Sequence, residues 1–256
     1  MSDMPFLDHL EELRKRLLKI VVALAICVGV GFLLVIKFDF IGLLERPILP
    51  YLQGRKLIFT HPGDSFSIVM QVSFGLGFAL AAPVLLYQLW AFLSPALYKH
   101  EKRVVIPLLF AATMLFMMGA CLAYFFVLPF ALKFLMEFQT AALEPMITAR
   151  DYFDFATSLA LSMGAVFELP ILLVGLTALG ILTPKMLRTF RRHALVASFA
   201  AAAIITPGDL VTTTVMLMVP LYGLYEVSIV ASAIVFARKE RRRMASEAES
   251  DVEVLA

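Results

Sequence analysis

Charge is scarce in this chain. Asp, Glu, Lys and Arg make up 16% of its 256 residues and leave a formal net charge of +2. So small a balance gives no case for a nucleic-acid partner, and none is expected; the information lies in where the charges sit. Cysteine is scarcer still. Cys27 and Cys121 each fall inside an apolar run, where a thiol behaves as a small hydrophobe. Neither has a partner at metal-site spacing, so they imply no redox or metal chemistry, and no cofactor is expected. The four histidines (His9, His61, His100 and His193) form no HExxH motif, and no nucleophile with an attendant base is apparent, so an enzyme is not expected. The amino terminus resembles neither a secretory nor a transit peptide. Acidic residues interrupt the basic stretch near the amino terminus and the apolar run behind it is of span length, so this segment is expected to stay on the mature protein.

What the chain has in excess is hydrophobicity, at 61% of residues and a mean hydropathy of +0.88. Both values lie far above those of soluble domains and predict a polytopic, all-α integral membrane protein. Apolar runs predict spans at about residues 17–36, 65–93, 104–132 and 153–179. The next run, 194–206, has only 13 residues before "TPGD", about 20 Å of helix against a hydrocarbon core of about 30 Å. If "TPGDL" is a tight turn, the chain returns through 210–237, and six transmembrane helices result with a short fifth and sixth. One integral domain over 1–238 is expected, followed by a cytoplasmic tail, 239–256, whose mixed charge reads as disordered. Pro83, Pro107, Pro129, Pro170 and Pro220 lie in or near the spans and can bend them, which predicts a cupped bundle. The short helices would thin the bilayer locally.

Lys and Arg are unevenly divided between alternate connections. Sixteen of the 22 fall on the amino terminus, the second-to-third connection, the fourth-to-fifth connection and the tail, so both termini are expected to be cytoplasmic. A fifth run that failed to cross would strand the basic tail on the opposite side.

The stretch "FLDHLEELRKRL", residues 6–17, leads into the first span. At about 100° per residue, Phe6, Leu7, Leu10, Leu13 and Leu17 share one helical face, while Asp8, Glu11, Glu12, Lys15, Arg16 and Lys19 share the other. One reading is an amphipathic helix lying at the membrane surface, with Glu11–Lys15 and Glu12–Arg16 as ordinary i,i+4 pairs. Arg14 falls on the edge of the apolar stripe and points toward something other than bulk water. A second charged cluster stands in the same compartment, in "YQLWAFLSPALYKHEKRVVIPLL". Ser94 as N-cap and Pro95 at the first helical position would start a short helix carrying Glu101 about two turns in. Trp90 and Phe92 read as interfacial anchors. Inside the spans, Glu168 and Glu226 are the costly groups and must face protein or water, with Gln71 and Gln88 less costly. Glu226 is expected in a buried position paired with another helix. Gln88 lies one turn from Phe92 and is expected on the same surface.

Together, "HLEELRKRL" and "APVLLYQLWAFLSPALYKHEKR" resemble the TatC family, the receptor subunit of the twin-arginine protein translocase. The later "FELP" and "ITPGD" fit the same family, so the resemblance runs from Phe6 to about Arg238; Gly208 stands at a position that varies. It implies recognition of signal peptides bearing two consecutive arginines, and proton-motive-force-driven export of folded proteins across the bacterial cytoplasmic (inner) membrane. A cationic ligand would account for acidic residues among the basic ones, because planar guanidinium groups are held by carboxylates through paired hydrogen bonds. The resemblance points to Glu12 and Glu101 as those carboxylates, with Phe92 packing nearby and Arg14 shaping the site. It makes Glu168 a polar contact in a concave pocket for partner helices or the signal peptide, and assigns functional positions to Pro47 and Asp209 in outward loops. The implied partners are TatA-like and TatB-like single-span proteins, twin-arginine signal peptides, the lipid bilayer and further copies of the chain.

Two other functions compete. An ion-coupled secondary transporter would use Glu168 and Glu226 as coupling groups, but the sequence shows no halves with similar hydropathy. A membrane scaffold without signal-peptide recognition would bind Arg-Arg and Lys-Lys peptides equally.

Overall fold

Helix α1 (Phe6–Lys37) carries the charged opening stretch and the first apolar run without interruption. Its 32 residues extend about 48 Å, more than a bilayer core. No Gly or Pro occurs between Phe6 and Val28, and nothing there breaks the hydrogen-bond ladder. The computed structural model describes residues 6–52, 54–93, 102–137, 146–205 and 212–255.

After α1 come the short helix α2 (Phe40–Glu45), a 3-10 turn at Leu49–Tyr51, and α3 (Asp64–Leu93) with Pro83 inside it. Helix α4 (Lys102–Leu122) passes through a π-helical segment, Ala123–Val127, into α5 (Leu128–Glu137). The π segment ends two residues before Pro129. A proline ring cannot donate to the carbonyl four residues earlier and clashes with it, and the wider π turn relieves both. Helix α6 (Ala149–Phe167) ends before Glu168, and α7 (Leu169–Leu179) begins with Pro170 in its first turn. The expected bend at Pro170 is thus a break. Then follow α8 (Pro184–Thr189), α9 (Arg191–Ile205) and α10 (Thr212–Leu255). Among the described residues there is no strand, only an isolated parallel bridge between Ile58 and Thr148.

Among the described residues five stretches are long and apolar enough to cross a membrane: Leu10–Lys37, Asp64–Leu89, Leu109–Met136, Ala149–Leu179 and Thr213–Arg241. They correspond to the first four expected spans and the last. Helix α9, over the expected fifth, has 15 residues, about 22 Å, and falls short of that length. Helix α10 continues to Leu255. No Gly or Pro follows Gly223, and the tail is rich in Ala, Glu, Arg and Lys, which favour helix over coil.

The chain groups into two compact units, Met1–Val166 and Phe167–Ala256. The division coincides with the break before Pro170, where the missing N–H ends the α6 ladder.

In the first unit α1 packs along α3. A Cβ on Gly31 would lie 2.7 Å from the Ser73 carbonyl oxygen, and one on Gly77 would lie 2.5 Å from the Val28 Cα. The two backbones touch where only glycine fits, the usual device for close helix packing in lipid. On its other side α3 meets α6, where a Cβ on Gly75 would strike Thr157. Phe116 of α4, 2% exposed, closes over Gly164 of α6. The connection between α1 and α3 is pinned to these helices. The hydroxyls of Tyr124 and Tyr152 donate to the carbonyls of Leu43 and Leu44 near the end of the short α2, the first of which also accepts from Arg46 N–H at 3.3 Å. Ile58 N–H donates to the Ile147 carbonyl at 3.3 Å, and Ala149 N–H to the Ile58 carbonyl at 2.9 Å.

The second unit is built around α10, which packs on α7, α8 and α9. Thr177 of α7 donates to the buried Ser232 hydroxyl of α10 at 3.1 Å. Gly180 ends α7 in the left-handed conformation, φ 84°, which glycine adopts without strain. Thr183 caps α8 by accepting from Met186 N–H at 3.3 Å, and Pro184 occupies the first turn. From α10, Tyr225 donates to the Leu187 carbonyl at 2.7 Å and Lys239 to the Ala178 carbonyl at 2.9 Å.

Candidate functional site

The two i,i+4 pairs of the opening stretch have different fates. Glu11 and Lys15 meet at 2.8 Å with both side chains more than half exposed. That is an ordinary solvated pair, worth little. Glu12 and Arg16 instead face α3, with side-chain exposures of 25% and 19%. Arg16 Nε donates to Glu12 Oε1 at 3.0 Å, and Nη2 donates to the same oxygen. Its third nitrogen, Nη1, reaches Oε1 of Gln88 on α3 at 3.5 Å, and Gln88 is 8% exposed. The helix period explains this arrangement: Glu12 and Arg16 stack one turn apart on the side of α1 that meets α3, while Glu11 and Lys15 are rotated away.

Gln88 therefore joins the Glu12 cluster, and Phe92 follows it by one turn on α3. The side chain of Phe92 lies outside the described residues, as do Ser94, Pro95, Glu101 and Asp209. Arg14 is exposed. Neither the arginine partner of Glu12 nor its tie to Gln88 is marked in the sequence as a site; the four-residue steps from Glu12 to Arg16 and from Gln88 to Phe92 were the available signal.

Elsewhere the expected polar residues separate. Glu168 sits in the break between α6 and α7, and both carboxylate oxygens are buried without a hydrogen-bond partner among the described residues. A packed helix-to-helix hydrogen bond is not what holds it. Gln71 does make such a bond, donating to the Phe153 carbonyl of α6 at 3.4 Å. Glu226 of α10 pairs with Arg191 of α9 at 2.7 Å and accepts from Tyr222 at 2.9 Å. It pairs with another helix as expected, but it is half-exposed where burial was expected, because it lies beside the basic amino-terminal end of α9. Pro47 is half-buried in the turn after α2, next to the fully buried Ile48. Arg46 N–H and Ile48 N–H donate back to Leu43 and Glu45, and Pro47 stands at the one position between them that has no donor to satisfy.

A cluster that sequence reasoning did not single out lies at the start of α3. Asp64, 1% exposed, accepts from Thr60 N–H at 2.9 Å, His61 N–H at 2.8 Å and the Thr60 hydroxyl at 3.1 Å, with Arg150 of α6 at 3.9 Å. An aspartate just before an apolar run is a helix-start signal, and this one ties the connection to α3 and α6. Among the described residues no group of His, Cys, Asp and Glu could hold a metal ion.

Residues 8–220 match the family model described as Sec-independent protein translocase protein (TatC). The chain is 41% identical over 239 residues to the Sec-independent protein translocase protein TatC of Aquifex aeolicus, covering 93% of this chain and 98% of that relative. It is 36% identical over 242 residues to TatC of Escherichia coli K12, covering 93% and 92%. Its structure is similar to a crystal structure of the twin arginine translocase receptor TatC, with a TM-score of 0.74 at 41% identity, over 89% of this chain and 99% of that one. Motifs, fold and relatives agree over nearly the whole length, and the chain belongs to the TatC family of Sec-independent protein translocase proteins.

Proposed function

We propose that this chain is the signal-peptide receptor of a twin-arginine translocase in the bacterial cytoplasmic membrane. Glu12 and Glu101 take the two arginines, Phe92 packs against the peptide, and Arg14 shapes the site. The observation that carries this reading is the surrounding of Glu12. A carboxylate near the amino-terminal end of α1 already binds one guanidinium, and that guanidinium reaches Gln88 of α3, one turn before Phe92 in the sequence. Such a group suits a second planar cation better than a lysine, which has no fork of paired donors to set on one oxygen as Arg16 does.

Six crossings with both termini cytoplasmic complete the proposal, with α9 as a short fifth span. TatA-like and TatB-like single-span proteins dock along the bundle, folded cargo passes at the expense of the proton-motive force, and the partnerless carboxylate of Glu168 meets an incoming helix. The test is binding of a twin-arginine signal peptide and its Lys-Lys version to the detergent-solubilised chain, with Glu12 and Glu101 intact or changed to Ala. An Arg-Arg preference that vanishes with either substitution supports the reading. Equal binding by every combination would return both glutamates to surface pairing and leave a scaffold.

A further inference from the structure

Arg16 is a cation standing where a cationic ligand is to bind, and its geometry decides which of two opposite roles it has. A resident competitor would be loosely held, so that the ligand could displace it. Arg16 is not: its side chain is 19% exposed, and Nη1 is tied to Gln88, an amide on the neighbouring helix that is itself more than nine-tenths buried. It also grips Glu12 through one oxygen. Both Nε and Nη2 donate to Oε1, while Oε2 takes no bond from a described residue. A glutamate near a helix end otherwise samples many rotamers, and each must be given up when a ligand binds.

Resting on the receptor reading above, we propose that Arg16 is a positioning residue for the twin-arginine ligand. Anchored by Gln88, it fixes the Glu12 carboxylate against α3 and leaves Oε2 open to the ligand's guanidinium. The two guanidinium groups then share one carboxylate, one on each oxygen, and the fork geometry that favours arginine over lysine is set before the peptide arrives.

The test is a double-mutant cycle on the full chain in detergent, read as Kd for an Arg-Arg signal peptide and its Lys-Lys version. R16A removes a positive charge, so simple electrostatics would tighten binding of a cationic peptide. The positioning role requires the reverse: Arg-Arg binding weakens about tenfold, and R16K, which keeps the charge but loses the fork, stays weak. Because Arg16 acts only through Glu12, E12A/R16A binds no more weakly than E12A alone. If R16A does not yield folded protein by its thermal unfolding midpoint, Q88L cuts the same tie from α3 and carries the same expectation. Binding by R16A as tight as wild type or tighter overturns the proposal, as do additive losses in the cycle. If E12A itself binds normally, the receptor role of Glu12 fails, an outcome distinct from failure of Arg16 alone.

Discussion

Single residues carry the two sharpest constraints on this protein, one steric and one electrostatic. At Gly77 an added Cβ would lie 2.5 Å from the Val28 Cα of α1, a distance that backbone atoms cannot absorb without parting the helices. G77V is expected to lower the thermal unfolding midpoint in detergent, with a loss of about 1–3 kcal/mol or more from overpacking. Gly29 is the internal control. A Cβ there meets nothing within 4 Å, so G29A leaves the midpoint unchanged or raises it slightly. Equal behaviour of the two variants would refute the close crossing. The electrostatic constraint separates neighbours in the same way: E11A removes a solvated pair and leaves peptide binding as in wild type, whereas E12Q abolishes the Arg-Arg preference. The sequence presented both pairs alike, as i,i+4 neighbours on one polar face. Their difference rests on a third residue, Gln88, 72 positions away.

At the scale of elements, the connection between α1 and α3 shows how a short helix is kept. Six residues leave most of their terminal carbonyls without an intrahelical donor, and α2 adds two tyrosine hydroxyls from other helices to the one bond that Arg46 N–H returns to Leu43. Y124F/Y152F is expected to cost about 1 kcal/mol per lost bond and to raise amide hydrogen exchange across residues 40–46 while α3 stays protected. Unchanged exchange in α2 would show that the tyrosines do not hold it. The short α9 makes a different claim. Its 15 residues fall below bilayer thickness, and lengthening it by four apolar residues is expected to abolish export of a twin-arginine reporter if local thinning aids passage. Intact export by the lengthened chain would sink that mechanism. Helix existence was legible from the apolar runs at every span. The breaks were legible only as prolines: Pro83 and Pro220 sit within continuous helices, Pro129 follows a π segment, and Pro170 starts a new helix. What a proline does depends on whether neighbouring groups satisfy the freed carbonyl, and that is settled in three dimensions.

For the whole molecule, orientation is the quantity that basic residues predict and that five long helices alone do not deliver. With α9 crossing, both termini share a side; without it, the tail is stranded opposite the amino terminus. Cysteines placed at Ser2 and Ser250 in a cysteine-free background are expected to resist an impermeant maleimide in intact cells and to react after permeabilisation. Labelling of the Ser250 position alone in intact cells would reduce the crossings to five. Hydropathy and the motifs around Glu12 and Glu101 were enough to determine class, the positions of five long apolar helices and family, because membrane insertion and helix formation answer to local composition. Only the tertiary structure decided that the chain divides before Pro170, that the tail stays helical in α10, that Gly31 and Gly77 bring α1 onto α3, and that Arg16 is held by Gln88. Those outcomes depend on atoms distant in sequence meeting at van der Waals or hydrogen-bond range, which no local pattern encodes.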